Sequence, residues 1–181
     1  SSLRISTPVP VRNFAKNGGY VNIIKNFEDL DSVPWAAESI NYMRKMGYVN
    51  GKSDTTFAPN DNITREEFAA ILVRTFGLDT TNVAPSTFAD VDKNAWYAQY
   101  VATAAHYGIV NGLENNNFGV GQQITREQIA TMLKRTVDII PQKLLPFKGT
   151  IAFADFAYIS DWAYSSVMYL ARAQIINGTG N

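Results

Sequence analysis

The chain has no cysteine among its 181 residues. A disulfide-stapled scaffold and a thiolate metal centre are therefore excluded, and the absence fits an exported chain without establishing export. There is no charge excess: 16 basic side chains balance 16 acidic ones, which argues against nucleic-acid binding by bulk electrostatics. Histidine is nearly absent. The single copy, His106, falls near the end of a helical pattern and reads as exposed or half-packed. No G-x-S-x-G, H-E-x-x-H or phosphate-cradling glycine loop is present. The oxygen-rich loops at Asn50–Thr56 and Asp90–Asn94 lack the calcium-loop spacing with its distal glutamate and read as solvated turns. Glu66 and Glu67 lie side by side at a helix start, not across a cleft. The sequence thus implies no catalysis, no metal and no cofactor. No secretory signal is legible, so Ser1 reads as the start of a mature or trimmed chain. One stretch of twenty residues, 94–113, carries no Asp, Glu, Lys or Arg. That is long enough to span a bilayer, but it contains Asn94, Gln99, His106, Gly108 and Asn111. It reads as a packed helix followed by a turn, with no membrane insertion.

What is there is repetition. The pentapeptide ITREE at Ile63–Glu67 returns as ITREQ at Ile124–Gln128. Around it, residues 27–76 match 88–137 at a constant offset of 61. Phe27 pairs with Phe88, Asp29 with Asp90, Trp35 with Trp96, Gly51 with Gly112 and Phe57 with Phe118. A third copy begins with Phe153, Asp155 and Trp162 and reaches Asn177-Gly178; its arginine would fall at 192, beyond Asn181. The chain divides into a lead-in or remnant of an upstream domain at 1–26, repeats at 27–78 and 88–140, and the first half of a third at 151–181. Linkers run over Asp79–Thr87 and Pro141–Thr150. Each full repeat predicts helix, loop, helix. The first helix runs from about Trp35 to Met46, with Ala36, Ile40 and Met43 inward; Gly47 and Gly108 stand where a left-handed residue ends a helix. Gln174 replaces that glycine in the third copy, which predicts a different ending. The second helix starts at Thr64 or Thr125. Its expected buried stripe is Phe68, Ile71, Leu72, Thr75 and Phe76, matched by Ile129, Met132, Leu133 and Val137.

Thr64 with Glu67, and Thr125 with Gln128, form capping boxes. The capping logic does not account for Arg65 and Arg126, which oppose the helix dipole. A solvated arginine explains either copy alone; the same register twice favours a role. A helix N-terminus presents free N–H groups, and an arginine beside it adds a planar fork for a carboxylate. Each repeat also supplies an aromatic ring (Trp35, Trp96, Trp162) and a carboxylate (Asp29, Asp90, Asp155). Ring, hydroxyl acceptor and anion clamp suit an acidic sugar. Core packing of part of each tryptophan ring remains equally open.

The ordered set F-x-D, W, G-[YI]-V-N-G, F and I-T-R-E resembles the S-layer homology (SLH) module over residues 27–181, as two full modules and one partial. The resemblance implies an all-α fold of tandem helix-loop-helix units in a pseudo-threefold arrangement about a central bundle, with ligand grooves between modules. It implies noncovalent anchoring of a bacterial surface protein to secondary cell wall polysaccharide at the cell wall or S-layer. The expected ligand unit is a ketal-pyruvylated N-acetylmannosamine whose carboxylate meets Arg65 and Arg126. Asp29, Asp90, Asp155, the three tryptophans, Gly51 and Gly112 complete the expected binding set. Glu66 and Glu127 depart from the family's usual alanine and are expected to compete for the neighbouring arginine fork. Self-assembly, or completion of the third module by another chain, is a further expectation. Two alternatives stay open at this point: a helical protein-interaction or self-assembly module with no sugar site, and the anchor fragment of a larger glycoside hydrolase.

Overall fold

The computed structural model describes residues 24–140 and 153–178. The linker expected at Pro141–Thr150 and most of the lead-in lie outside these residues. Five α-helices follow in order: α1 (Pro34–Lys45), α2 (Arg65–Thr75), α3 (Ala98–His106), α4 (Arg126–Ile139) and α5 (Asp161–Arg172). Two short 3-10 turns, Glu114–Asn116 and Phe156–Tyr158, interrupt the loops. Among the described residues there is no β-strand, only an isolated antiparallel bridge between Thr64 and Gln123. The protein is all-α there, and no described helix is long and apolar enough to cross a membrane.

The helix ends follow from local chemistry. Pro34 opens α1, where its missing N–H has no helical partner to lose. Both capping boxes form: the Thr64 hydroxyl accepts from the Glu67 N–H while the Glu67 carboxylate accepts from the Thr64 N–H, and Thr125 with Gln128 repeats the exchange. Gly47 (φ +74) and Gly108 (φ +70) end α1 and α3 in the left-handed region. There the N–H groups of Gly47 and Tyr48 donate to the Arg44 and Met43 carbonyls, the two bonds of a Schellman ending. Gln174 was expected to end α5 differently. It adopts the same left-handed conformation (φ +58), and the same pair of bonds forms at Gln174 and Ile175. The bonding at the terminus outweighs the modest strain of a side chain there.

Packing is out of step with the repeat. α2 of the first repeat lies against α3 of the second, and α4 of the second lies against α5 of the third. The main core gathers Leu72, Val73, Val101, Ile109, Phe118 and Met132 from both sides of that seam. A satellite core joins Ala130 of α4 to Ala163, Val167 and Leu170 of α5. A third, smaller one packs Phe27, Leu30 and Val33 under α1. The expected stripe of α2 is corrected in part. Leu72 is buried, but Phe68, Ile71, Thr75 and Phe76 are only partly so, and the deeply buried set is Arg65, Glu66, Ala69, Ala70, Leu72 and Val73. The helix is gripped at its N-terminal turn by the next repeat, which rotates its most buried face toward small residues and toward the Arg-Glu pair.

Candidate functional site

The motif residues divide into those that build the scaffold and those that line a groove. Phe27 packs against Phe57 with ring centroids 5.2 Å apart, and Phe88 against Phe118 at 5.8 Å. A Cβ on Gly51 would overlap the Phe27 ring and the Thr56 carbonyl; one on Gly112 would overlap Phe88. Each asparagine-glycine turn is thus pressed on a phenylalanine. Asp29 accepts from the N–H groups of Phe57 and Ala58 at 2.7–3.1 Å. Asp90 accepts from Phe118, Gly119 and Val120 at 2.6–2.9 Å. The Phe57 N–H is the main cause holding the Asp29 carboxyl below its usual range. Partial burial pushes Asp90 up, but its three backbone donors outweigh that and leave it low as well. Both aspartates pin the loop of their own repeat. Asp155 is exposed, and the position matching Phe118 would be residue 184, beyond Asn181.

Arg65 is buried, at 5% exposure, and crosses the seam. Its Nε–H donates to the Phe118 carbonyl at 3.0 Å, and its guanidinium lies 5.2 Å from the centre of that ring. The Nε bond uses one of five donors. Burial lowers the Arg65 pKa, while the charges of Asp90 and Glu66 act to raise it. Glu66 was expected to compete for this fork. Instead both its oxygens accept from the Gly121 N–H at 3.1 Å. Glu127 repeats the device one step on, accepting from the N–H and hydroxyl of Ser160 at 2.7 and 3.0 Å. The acids tie each helix start to the following repeat. Arg126 reaches forward in the same way, its Nη2–H donating to the Asn177 carbonyl at 2.9 Å, but it is exposed.

Two grooves result. The first, about 500 Å³, is lined by the Val49–Lys52 turn, by Glu67, Ile71 and Arg74 of α2, and by Trp96 and Tyr100 of the next repeat. The second, about 330 Å³, is lined by the Val110–Leu113 turn, by Gln128, Thr131, Met132 and Arg135 of α4, by Trp162 of the next repeat and by Arg65 of the preceding one. Both volumes lie in the range of small-ligand sites. Shifting one groove by the repeat offset gives the other, so they are one site built twice. The fold brings together Arg65, Gly112 and Trp162, one from each repeat; Gly51 and Trp96 serve the first groove. Asp29, Asp90, Asp155, Trp35 and Arg126 line neither groove. The tryptophans are not core residues: Trp35, Trp96 and Trp162 are 85%, 57% and 56% exposed. Sequence reasoning missed Arg74 and Arg135, which line equivalent walls. Their signal was present: they are 61 residues apart, and each sits nine residues after the ITRE arginine.

The S-layer homology domain model matches residues 26–69, 87–130 and 152–181, and the chain belongs to that family. It is 35% identical over 156 residues to the S-layer protein EA1 of Bacillus anthracis, covering 86% of this chain and 18% of that protein. It is 31% identical to an amylopullulanase of Thermoanaerobacterium thermosulfurigenes, covering 87% of this chain and 8% of that one. An exoglucanase XynX of Acetivibrio thermocellus is 29% identical, over 90% of this chain and 15% of its own length. The chain spans less than a fifth of each of these relatives.

Proposed function

We propose that this chain is a noncovalent cell-wall anchor, tethering a bacterial surface protein by binding secondary cell wall polysaccharide in the grooves at its repeat seams. The ligand unit is a ketal-pyruvylated N-acetylmannosamine. The observation that carries the reading is the second groove, where Arg65, Arg135 and the exposed ring of Trp162 face one space. An arginine fork matches a carboxylate, and an exposed flat ring suits the apolar face of a sugar. Family membership supports the anchoring role. That relatives as unlike as an S-layer protein and an amylopullulanase share this segment fits a portable anchor, separate from any catalytic domain.

The modules, at 27–78, 88–140 and 151–181, are arranged by rotation about a common axis. Residues in equivalent places touch only near such an axis, and here Ile124 N–H donates to the Ile63 carbonyl, with Asn62 donating to Gln123. The contact runs one way, as in a cyclic arrangement; a twofold would make it mutual.

The deciding experiment is calorimetric titration with the pyruvylated glycan beside the same glycan lacking pyruvate. Binding restricted to the pyruvylated form, and weakened by about 10- to 100-fold in Arg135→Ala as a charged hydrogen bond is lost, fits the anchor. Equal affinity for both glycans, or none for either, would remove the anion clamp. A second reading, a protein-assembly module, has one observation behind it. Among the described residues no other helix packs on α1, whose Trp35 and Tyr42 are exposed. Concentration-dependent sedimentation abolished by Trp35→Ala would favour it.

A further inference from the structure

The two grooves share a plan but not a chemistry. In the first, the charged lining residues are Lys52, Arg74, Asp61 and Glu67, two cations against two carboxylates. Lys52 and Glu67 are bonded to each other as an ion pair. In the second, the charged lining residues are Arg65 and Arg135, two cations and no carboxylate. The difference comes from aligned positions: Leu113 replaces Lys52, and Gln128 replaces Glu67. Gln128 keeps the capping box that Glu67 makes, so the charge is dropped without giving up the helix start. The acids nearest Arg65 are turned to other work, Glu66 on Gly121 and Asp90 on the Phe118–Val120 backbone.

A third aligned difference lies on the wall of the groove. Thr131, 7% exposed, lines the second groove where the first repeat has Ala70. Its hydroxyl is buried without a hydrogen-bond partner. The buried threonines Thr103 and Thr136 each donate to the carbonyl four residues back, at 2.7 and 2.8 Å, the usual refuge of a helical hydroxyl. The Thr131 hydroxyl makes no such bond. An orphan hydroxyl in such a place costs about 1–3 kcal/mol, and a ligand atom in the groove would satisfy it.

We infer that the second groove alone takes the anionic sugar, with Thr131 as its specificity-determining hydrogen-bonding residue, while the carboxylates of the first groove exclude that sugar. This rests on the anchor reading and deepens it. A carboxylate entering the first groove meets Glu67 and Asp61 and must break the Lys52 pair; entering the second, it meets only arginines.

The test uses the whole chain and the methyl glycoside of ketal-pyruvylated N-acetylmannosamine, followed through the three tryptophan indole N–H signals by NMR. The expected result is saturable shifting of Trp162 and not of Trp96, with Thr131→Val weakening binding about two- to tenfold at unchanged fold. The triple variant Lys52→Leu, Glu67→Gln, Ala70→Thr copies the second groove into the first, each change already present at the aligned position. It is expected to add Trp96 to the shifted signals. Equal shifting of Trp96 and Trp162 in the unaltered chain, or unchanged affinity in Thr131→Val, overturns the inference and leaves the anchor reading standing. No shift of either signal overturns both.

Discussion

The backbone N–H of Ile124 donates to the carbonyl of Ile63 at 3.1 Å, so two residues holding the same place in successive repeats are joined. The Arg65 N–H donates to Gln122 across the same seam at 3.0 Å. These loop amides are expected to be among the slowest to exchange with solvent, matching the interior of α2 rather than other loops. Native-state hydrogen exchange measures this; rapid exchange at both positions would mean that the seam opens independently of the core.

Glu66 is the acid that holds the seam shut. Glu66→Ala leaves the buried Gly121 N–H without its acceptor and should lower unfolding free energy by about 1–3 kcal/mol. Glu66→Gln keeps one acceptor oxygen and should lose less. Urea midpoints at constant slope report the difference; equal losses would show that the acceptor is not what matters.

Glycines in like conformations should respond unequally. Gly47→Ala meets open space at φ +74, so its loss is the conformational term alone, about 1–2 kcal/mol. Gly112→Ala combines φ +78 with overlap of the Phe88 ring and should exceed that clearly. Thermal melts of the two variants side by side check the order.

Acid sensitivity has a defined sign. Asp29 and Asp90 have carboxyls held below the ordinary value of about 3.9. A group depressed on folding contributes stability that is full above its unfolded pKa and is lost as pH falls through its folded one. Stability should therefore be flat in this respect above about pH 5 and decline below about pH 4. Asp90→Asn should be less stable near neutrality and show a shallower acid decline. Denaturation curves between pH 2 and 7 follow both.

The repeat made much of this legible from sequence. The helix–loop–helix order, the capping boxes and the glycine endings all follow from local chemistry, which is written in consecutive residues. The grooves were less legible because they are assembled from three repeats. Placing Trp35, Asp29 and Arg65 in one repeat groups residues that the fold sends elsewhere: Asp29 to its own loop, Arg65 to the next repeat. Arg135 escaped notice because a cation on a helix ordinarily reads as a solvated face, and only pairing it with Arg74 by the offset marks it. The acids beside the arginines were misread for the same reason. Their partners, Gly121 and Ser160, lie in the following repeat.

The pairing of α2 with α3 and of α4 with α5 sets the unit that was copied half a period out of phase with the unit that packs. A peptide bond cut in the Asp79–Thr87 connection would part the two copied units yet leave α2 and α3 lying together. A cut within a repeat, between α1 and α2, would separate pieces that share little. Proteolytic fragments of this molecule should therefore be read by their surviving interfaces and not by their sequence boundaries. A single copied unit, lifted out and grafted elsewhere, would carry two half-faces in search of neighbours.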